Sequence, residues 1–130
     1  GYSPVLPLKG DLAMDQFKRT YALYQKYGMD YHASFAMSER SLVNVNQLLY
    51  DKDNTDMMGR VDAMFRALVA DASAHQYGEY RTHIDYMDLG ANSYDFNNQA
   101  LLRLNNKVKN ALDPNGVIAP GKSGIWGART

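Results

Sequence analysis

The order of two hydrophobic periods along the chain does most to limit its fold: a helical period, then a period of two met twice, then a helical period again. From Leu12 to Tyr27 the residues Ala13, Phe17, Tyr21 and Tyr24 recur at helical spacing, and Gly28 stands where a left-handed C-terminal cap is wanted. Tyr31, Ala33, Phe35 and Met37 then alternate with His32, Ser34 and Ala36, and a second alternating run extends from Leu42 to Tyr50 after Ser38-Glu39-Arg40. Successive side chains of a strand point to opposite faces, so this predicts two strands joined by a short turn. Beyond the polar break at Asp51-Lys52-Asp53-Asn54, one face of a second long helix is marked by Val61, Met64, Phe65, Leu68, Val69 and Ala72, ending near Gln76.

Two extended segments flank this core. Tyr2 to Leu8 carries Pro4 and Pro7, which cannot donate to a sheet ladder, so it reads as an edge strand or extended lead-in, with Asp11 capping the helix that follows. Glu79 to Ile84 also reads as extended. The order strand, helix, strand, strand, helix, strand is the plan of a ferredoxin-like α+β sandwich, an antiparallel sheet with two long helices. That fold hosts many activities and settles none. Past a polar loop from Asn92 to Asn98, Asn97 or Asn98 can cap a third helix with the stripe Leu101, Leu104, Val108 and Leu112, which stops at Asp113-Pro114-Asn115-Gly116. The irregular tail from Val117 to Trp126 carries apolar residues that a segment of this kind normally packs on something outside itself.

Composition narrows the partners. Fourteen basic side chains balance fourteen acidic ones, so no positive field collects nucleic acid or anionic lipid. With no cysteine there is neither a disulfide framework nor a thiolate zinc site, and the three histidines lack metal-ligand spacing, so no metal is expected. No apolar run approaches the roughly 20 residues of a membrane span, and no signal peptide is legible. The expectation is a soluble chain, compatible with the cytoplasm but with its compartment open. A start at Gly1-Tyr2-Ser3-Pro4 without methionine suggests a chain cut from something longer.

Ile118-Ala119-Pro120-Gly121-Lys122-Ser123-Gly124 is the first segment with chemical content. Glycines on both sides of a lysine let backbone approach a ligand while the ammonium supplies charge, although a solvated loop lysine fits the same residues. Phosphate cradling is not expected of it. The helix from Leu101 followed by Ala-Leu-Asp-Pro-Asn-Gly-Val-Ile-Ala-Pro-Gly-Lys-Ser-Gly-Ile-Trp resembles the C-terminus of the vanillyl-alcohol oxidase / 4-cresol dehydrogenase family. The resemblance extends upstream through Gly78-Glu79-Tyr80-Arg81-Thr82-His83 and Tyr86-Met87-Asp88, and more loosely to Tyr2-Ser3-Pro4, covering nearly the whole chain.

Members of that family are FAD enzymes oxidising para-substituted phenols, with an N-terminal flavin domain and a cap domain over the substrate. The resemblance implies that residues 1–84 are part of the cap and that residues 85–130 are the helix and tail returning to the flavin domain, which is absent here and would be the partner. It places Tyr80 and Arg81 on the pair that binds the phenol as phenolate beside the flavin, with Arg81 also offsetting charge on reduced flavin. Lys122 matches a basic residue near the flavin's pyrimidine side. The family's covalent flavin-linking histidine falls at Asn44, and asparagine cannot form that bond, so non-covalent FAD is expected, with Asn44 near the cofactor. Asn44 and Asn46 share a strand face, and flavin, neighbouring backbone or solvent could satisfy their amides. The implied activity is hydride transfer from the benzylic carbon to flavin, giving a quinone methide. The phenol's identity, the reoxidant and any homo-oligomer stay open. The rival is a non-catalytic ferredoxin-like module binding an aromatic ligand or a protein through its ten tyrosines.

Overall fold

The structure is a computed structural model and describes residues 1–127. Residues 128–130, at the end of the tail expected to meet a flavin domain, lie outside the described residues. The chain divides after Arg81 into two compact units, where the sequence suggested a division after Ile84.

The first unit follows the expected order: β1 (Pro4–Pro7), α1 (Gly10–Lys26), β2 (His32–Met37), β3 (Ser41–Gln47), α2 (Thr55–Ala74) and β4 (Gly78–Glu79). All pairings are antiparallel, in the sheet order β2-β3-β1-β4. This is the ferredoxin-like α+β arrangement that the periods predict. The residues anticipated on the face of α2, from Val61 to Ala72, are all buried together with Tyr2, Leu6 and Tyr24. Asn54 starts that helix by accepting the Met57 N–H at 3.0 Å, satisfying one of the free donors of a helix N-terminus.

Three local expectations need correction. The first strand is not an edge: β1 lies between β3 and β4, and its prolines are tolerated because they occupy the two ends of a four-residue strand. Asp11 is not the cap of α1; Lys9 holds that position without a side-chain bond, and Asp11 sits in the first turn, where a carboxylate complements the helix dipole. The face of α1 turned inward is polar: Gln16 and Thr20 are buried and bonded at 2.9 Å, while Phe17 and Tyr21 stay partly exposed and stack with Tyr31 edge-on. At the other end Gly28 takes φ +63°, as a left-handed cap requires.

The second unit holds a 3₁₀ turn (Ile84–Tyr86), α3 (Met87–Asn92), α4 (Phe96–Leu112) and a 3₁₀ turn (Lys122–Gly124). Helix α3 was not legible in the sequence, which suggested extended chain as far as Ile84. Asn97, Asn98 and Gln99 have positive φ inside α4, so regular helix begins only after them. Leu101, Leu104, Val108 and Leu112 follow as expected, but their stripe is exposed. The tail packs on its own unit rather than only on something outside. Gly121, at φ +79°, lies so close to Trp126 that a Cβ would come within 2.7 Å of the indole, and a Cβ on Gly124 would meet Ala91 of α3 at 2.4 Å. Val117 and Ile118 stay exposed.

Candidate functional site

Tyr80 and Arg81 stand where β4 ends. Neighbours on a regular strand project to opposite faces, but the backbone bends at these two residues, so that constraint is lifted. The Arg81 guanidinium carbon lies 5.6 Å from the centroid of the Tyr80 ring, within cation–π range. Tyr80 is 61% exposed and Arg81 is exposed as well. Among the described residues Arg81 has no carboxylate partner, so it is not the surface ion pair that an arginine at a strand end would usually be. A guanidinium with free N–H donors next to a phenolic hydroxyl can stabilise an anionic oxygen with charge-assisted hydrogen bonds.

The residue before the pair escaped sequence reasoning. Glu79 is only 6% exposed, its Oε1 accepts the Ser3 N–H at 2.8 Å, and the Tyr80 N–H returns to the Ser3 carbonyl at 2.8 Å. Burial pushes its carboxyl up from the usual 4.5 to about 7, against the opposing pull of the Ser3 N–H. No local signal marked it, because polar residues stand on both sides of it in the sequence and its partner Ser3 lies 76 positions away.

Asn44 is 0% exposed. Register places it on the face of β3 shared with Leu42 and Asn46, opposite Phe35 of β2, so β3 is interior and solvent does not satisfy its amide. Asn44 Nδ2 donates to the Ser34 carbonyl at 3.3 Å, and its Oδ1 accepts from Asn46 Nδ2 at 2.9 Å. Of the partners left open by the sequence, backbone and a neighbouring amide are the ones observed. Asn44 therefore presents no surface to a ring system in this conformation.

Lys122 belongs to the second unit. It is exposed, has no carboxylate partner among the described residues, and lines a cleft of about 350 Å³ with Ile84, Asp85, Met87, Pro120 and Trp126. The Trp126 Nε1–H donates to Asp88 Oδ1 at 2.7 Å. The letters from Gly116 to Ser123 do fit the phosphate-loop spacing, yet such a loop must join a strand to a helix. Here α4 precedes it and a single 3₁₀ turn follows, and Asp113 accepts the N–H groups of Val117 and Ile118 at 3.0 and 2.8 Å. Context, rather than spacing, argues against phosphate binding.

His83 accepts the Asp85 N–H at 3.3 Å and caps the 3₁₀ turn at Ile84, a local structural job. Among the described residues no group of three His, Asp or Glu side chains could hold a metal ion, and no helix is long and apolar enough to cross a membrane.

Comparison with known proteins decides the family. The C-terminal domain of FAD linked oxidases matches residues 15–123. The chain belongs to this family. It is 33% identical over 124 residues to the 4-cresol dehydrogenase [hydroxylating] flavoprotein subunit of Pseudomonas putida, covering 95% of the chain and 23% of that protein. Among solved structures, 4-ethylphenol oxidase from Gulosibacter chungangensis in its isoeugenol complex superposes with a TM-score of 0.94 at 36% identity, covering 98% of this chain and 24% of that one. Substrate-bound p-cresol methylhydroxylase superposes at 0.89 with 33% identity, covering 95% and 24%. The chain thus spans about a quarter of the length of these FAD-linked oxidase relatives.

Proposed function

We propose that this chain is the C-terminal part of an FAD-dependent oxidoreductase that oxidises para-substituted phenols, and that Tyr80 and Arg81 bind the phenol as phenolate. The observation that carries the reading is the pair itself: two exposed polar side chains at a bend, one wrapped on the other, with the guanidinium unengaged by any described carboxylate. Relatives named for 4-cresol and 4-ethylphenol support the substrate class. Bound FAD supplies a two-electron acceptor for hydride from the benzylic carbon. The chain's own part is to hold negative charge on the phenol oxygen, which pushes electron density toward the para carbon and lowers the barrier to hydride loss. Residues 1–84 belong to the cap in this reading, and residues 85–130 meet the flavin domain.

The donor set suits a flavin. Arg81 in the first unit and, separately, Lys122 in the second are exposed cations without described carboxylate partners, each able to offset the negative charge that a flavin ring gains on reduction. Asn44 is no part of that donor set, because its amide is engaged within the sheet by the Ser34 carbonyl and Asn46. A carboxamide is no nucleophile, so FAD is held without a covalent bond at that position. Acid precipitation of the full-length enzyme should leave the yellow chromophore in the supernatant; colour that stays with the denatured protein contradicts this.

The activity is tested with Arg81→Ala in the full-length enzyme. The phenolate reading predicts that kcat/KM for a para-alkylphenol falls by about 100-fold or more with FAD content unchanged. Wild-type turnover in that variant would sink the assignment.

A further inference from the structure

We propose that Glu79 is the positioning residue of the Tyr80–Arg81 pair: its side chain takes the Ser3 N–H that the Tyr80 carbonyl would take on a continued strand, so that the chain leaves the sheet at Tyr80 and presents both side chains to one ligand. This rests on the reading of that pair as the phenolate site.

The register makes the substitution visible. Pro4 pairs with Glu79 and Val5 with Gly78, so Ser3 and Tyr80 would form the next pair, exchanging two N–H···O bonds as alternate pairs of an antiparallel ladder do. One of the two is made, from the Tyr80 N–H to the Ser3 carbonyl at 2.8 Å. In place of the other, the Ser3 N–H donates to Glu79 Oε1, also at 2.8 Å. Ser3 is thus held at both its backbone polar groups by consecutive residues, one through backbone and one through a side chain. The ladder closes early without leaving a buried donor unpaired, β4 ends after two residues, and the chain turns at Tyr80 and Arg81. An apolar residue at position 79 would leave the Ser3 N–H to pair with the Tyr80 carbonyl, prolong the strand and send neighbouring side chains to opposite faces. Burying a carboxyl is costly, and here it supplies an acceptor at the distance the turn requires. The carbonyl oxygen of a protonated carboxyl accepts as well, so the role does not depend on the charge.

Binding of phenol itself to the full-length flavoenzyme tests this, since phenol carries no benzylic carbon and binds without reacting. Glu79→Gln, which keeps length and an oxygen acceptor, is expected to hold the dissociation constant within about threefold. Glu79→Ala is expected to weaken binding roughly 10- to 100-fold, the scale of a small misplacement of a binding group, with the flavin spectrum retained. In a Tyr80→Phe/Arg81→Ala background the same change should add little, because both groups it positions are already gone. Phenol affinity in Glu79→Ala equal to wild type, or losses that simply add to those of the Tyr80→Phe/Arg81→Ala double variant, would overturn the proposal. If Glu79→Ala does not fold, Glu79→Asp, one methylene short of Ser3, is expected to show the same loss, and wild-type affinity there overturns it equally. Unchanged phenol binding in Arg81→Ala alone identifies the phenolate reading as the part that fails, and the positioning role falls with it.

Discussion

A buried carboxyl makes Glu79 the residue at which fold and pH meet. Its protonation midpoint is raised from 4.5 to about 7 by desolvation, so between these values the folded chain binds more protons than the unfolded one, and stability falls as pH rises through the window. The stabilisation is fully present below pH 4.5 and lost above 7. The displacement corresponds to roughly 3 kcal/mol at most. Tyr2 faces the same carboxyl, and its own hydroxyl is pushed upward by burial, far out of this window. In the full-length protein the melting temperature of Glu79→Gln is therefore expected to gain on wild type as pH increases from 4.5 to 7. Parallel pH profiles of the two would remove Glu79 as the source. Other residues were unequally legible. Tyr80, Arg81 and Lys122 were singled out as candidates by a motif, whereas Glu79 was not, since its contact with Ser3 lies 76 positions away. Asn44 was read from its strand face but not from its depth; alternation gives the side of a strand and leaves open whether the far layer covers it.

Among the elements, α2 was the most legible, because its apolar stripe is continuous and the whole stripe is buried. Helix α1 shows why a stripe can mislead. Its aromatic positions Phe17 and Tyr21 carry the period, yet the buried contacts are made by Gln16, Thr20 and Tyr24: Gln16 donates to Thr20 and Tyr2, and the Tyr24 hydroxyl donates to the Gln47 carbonyl at 3.0 Å. Strand β1 was misplaced at an edge because proline argues against ladder donors but says nothing of a strand only four residues long. Helix α3 has six residues, too few to show a period. In α4 the spacing of Leu101, Leu104, Val108 and Leu112 identified a helix correctly, but a period cannot say what covers the stripe, and the stripe is exposed among the described residues. The glycines of the tail had a plain structural reason: close approach of Gly121 to Trp126 and of Gly124 to Ala91.

For the molecule as a whole, the βαββαβ plan followed from the periods alone, while the family followed from motifs and from the match over residues 15–123. The chain spans about a quarter of its relatives' length, and the roles proposed for Arg81 and Lys122 call for a flavin domain. Ionisation of the bound phenol decides the assignment of Tyr80 and Arg81. The most direct measurement is the ultraviolet difference spectrum of phenol bound to the full-length enzyme at pH 7, well below the value near 10 at which a free phenol ionises. The wild type is expected to give a phenolate band, and Arg81→Ala, with its FAD in place, to lose it. A neutral-phenol spectrum in the wild type would contradict the assignment of Tyr80 and Arg81.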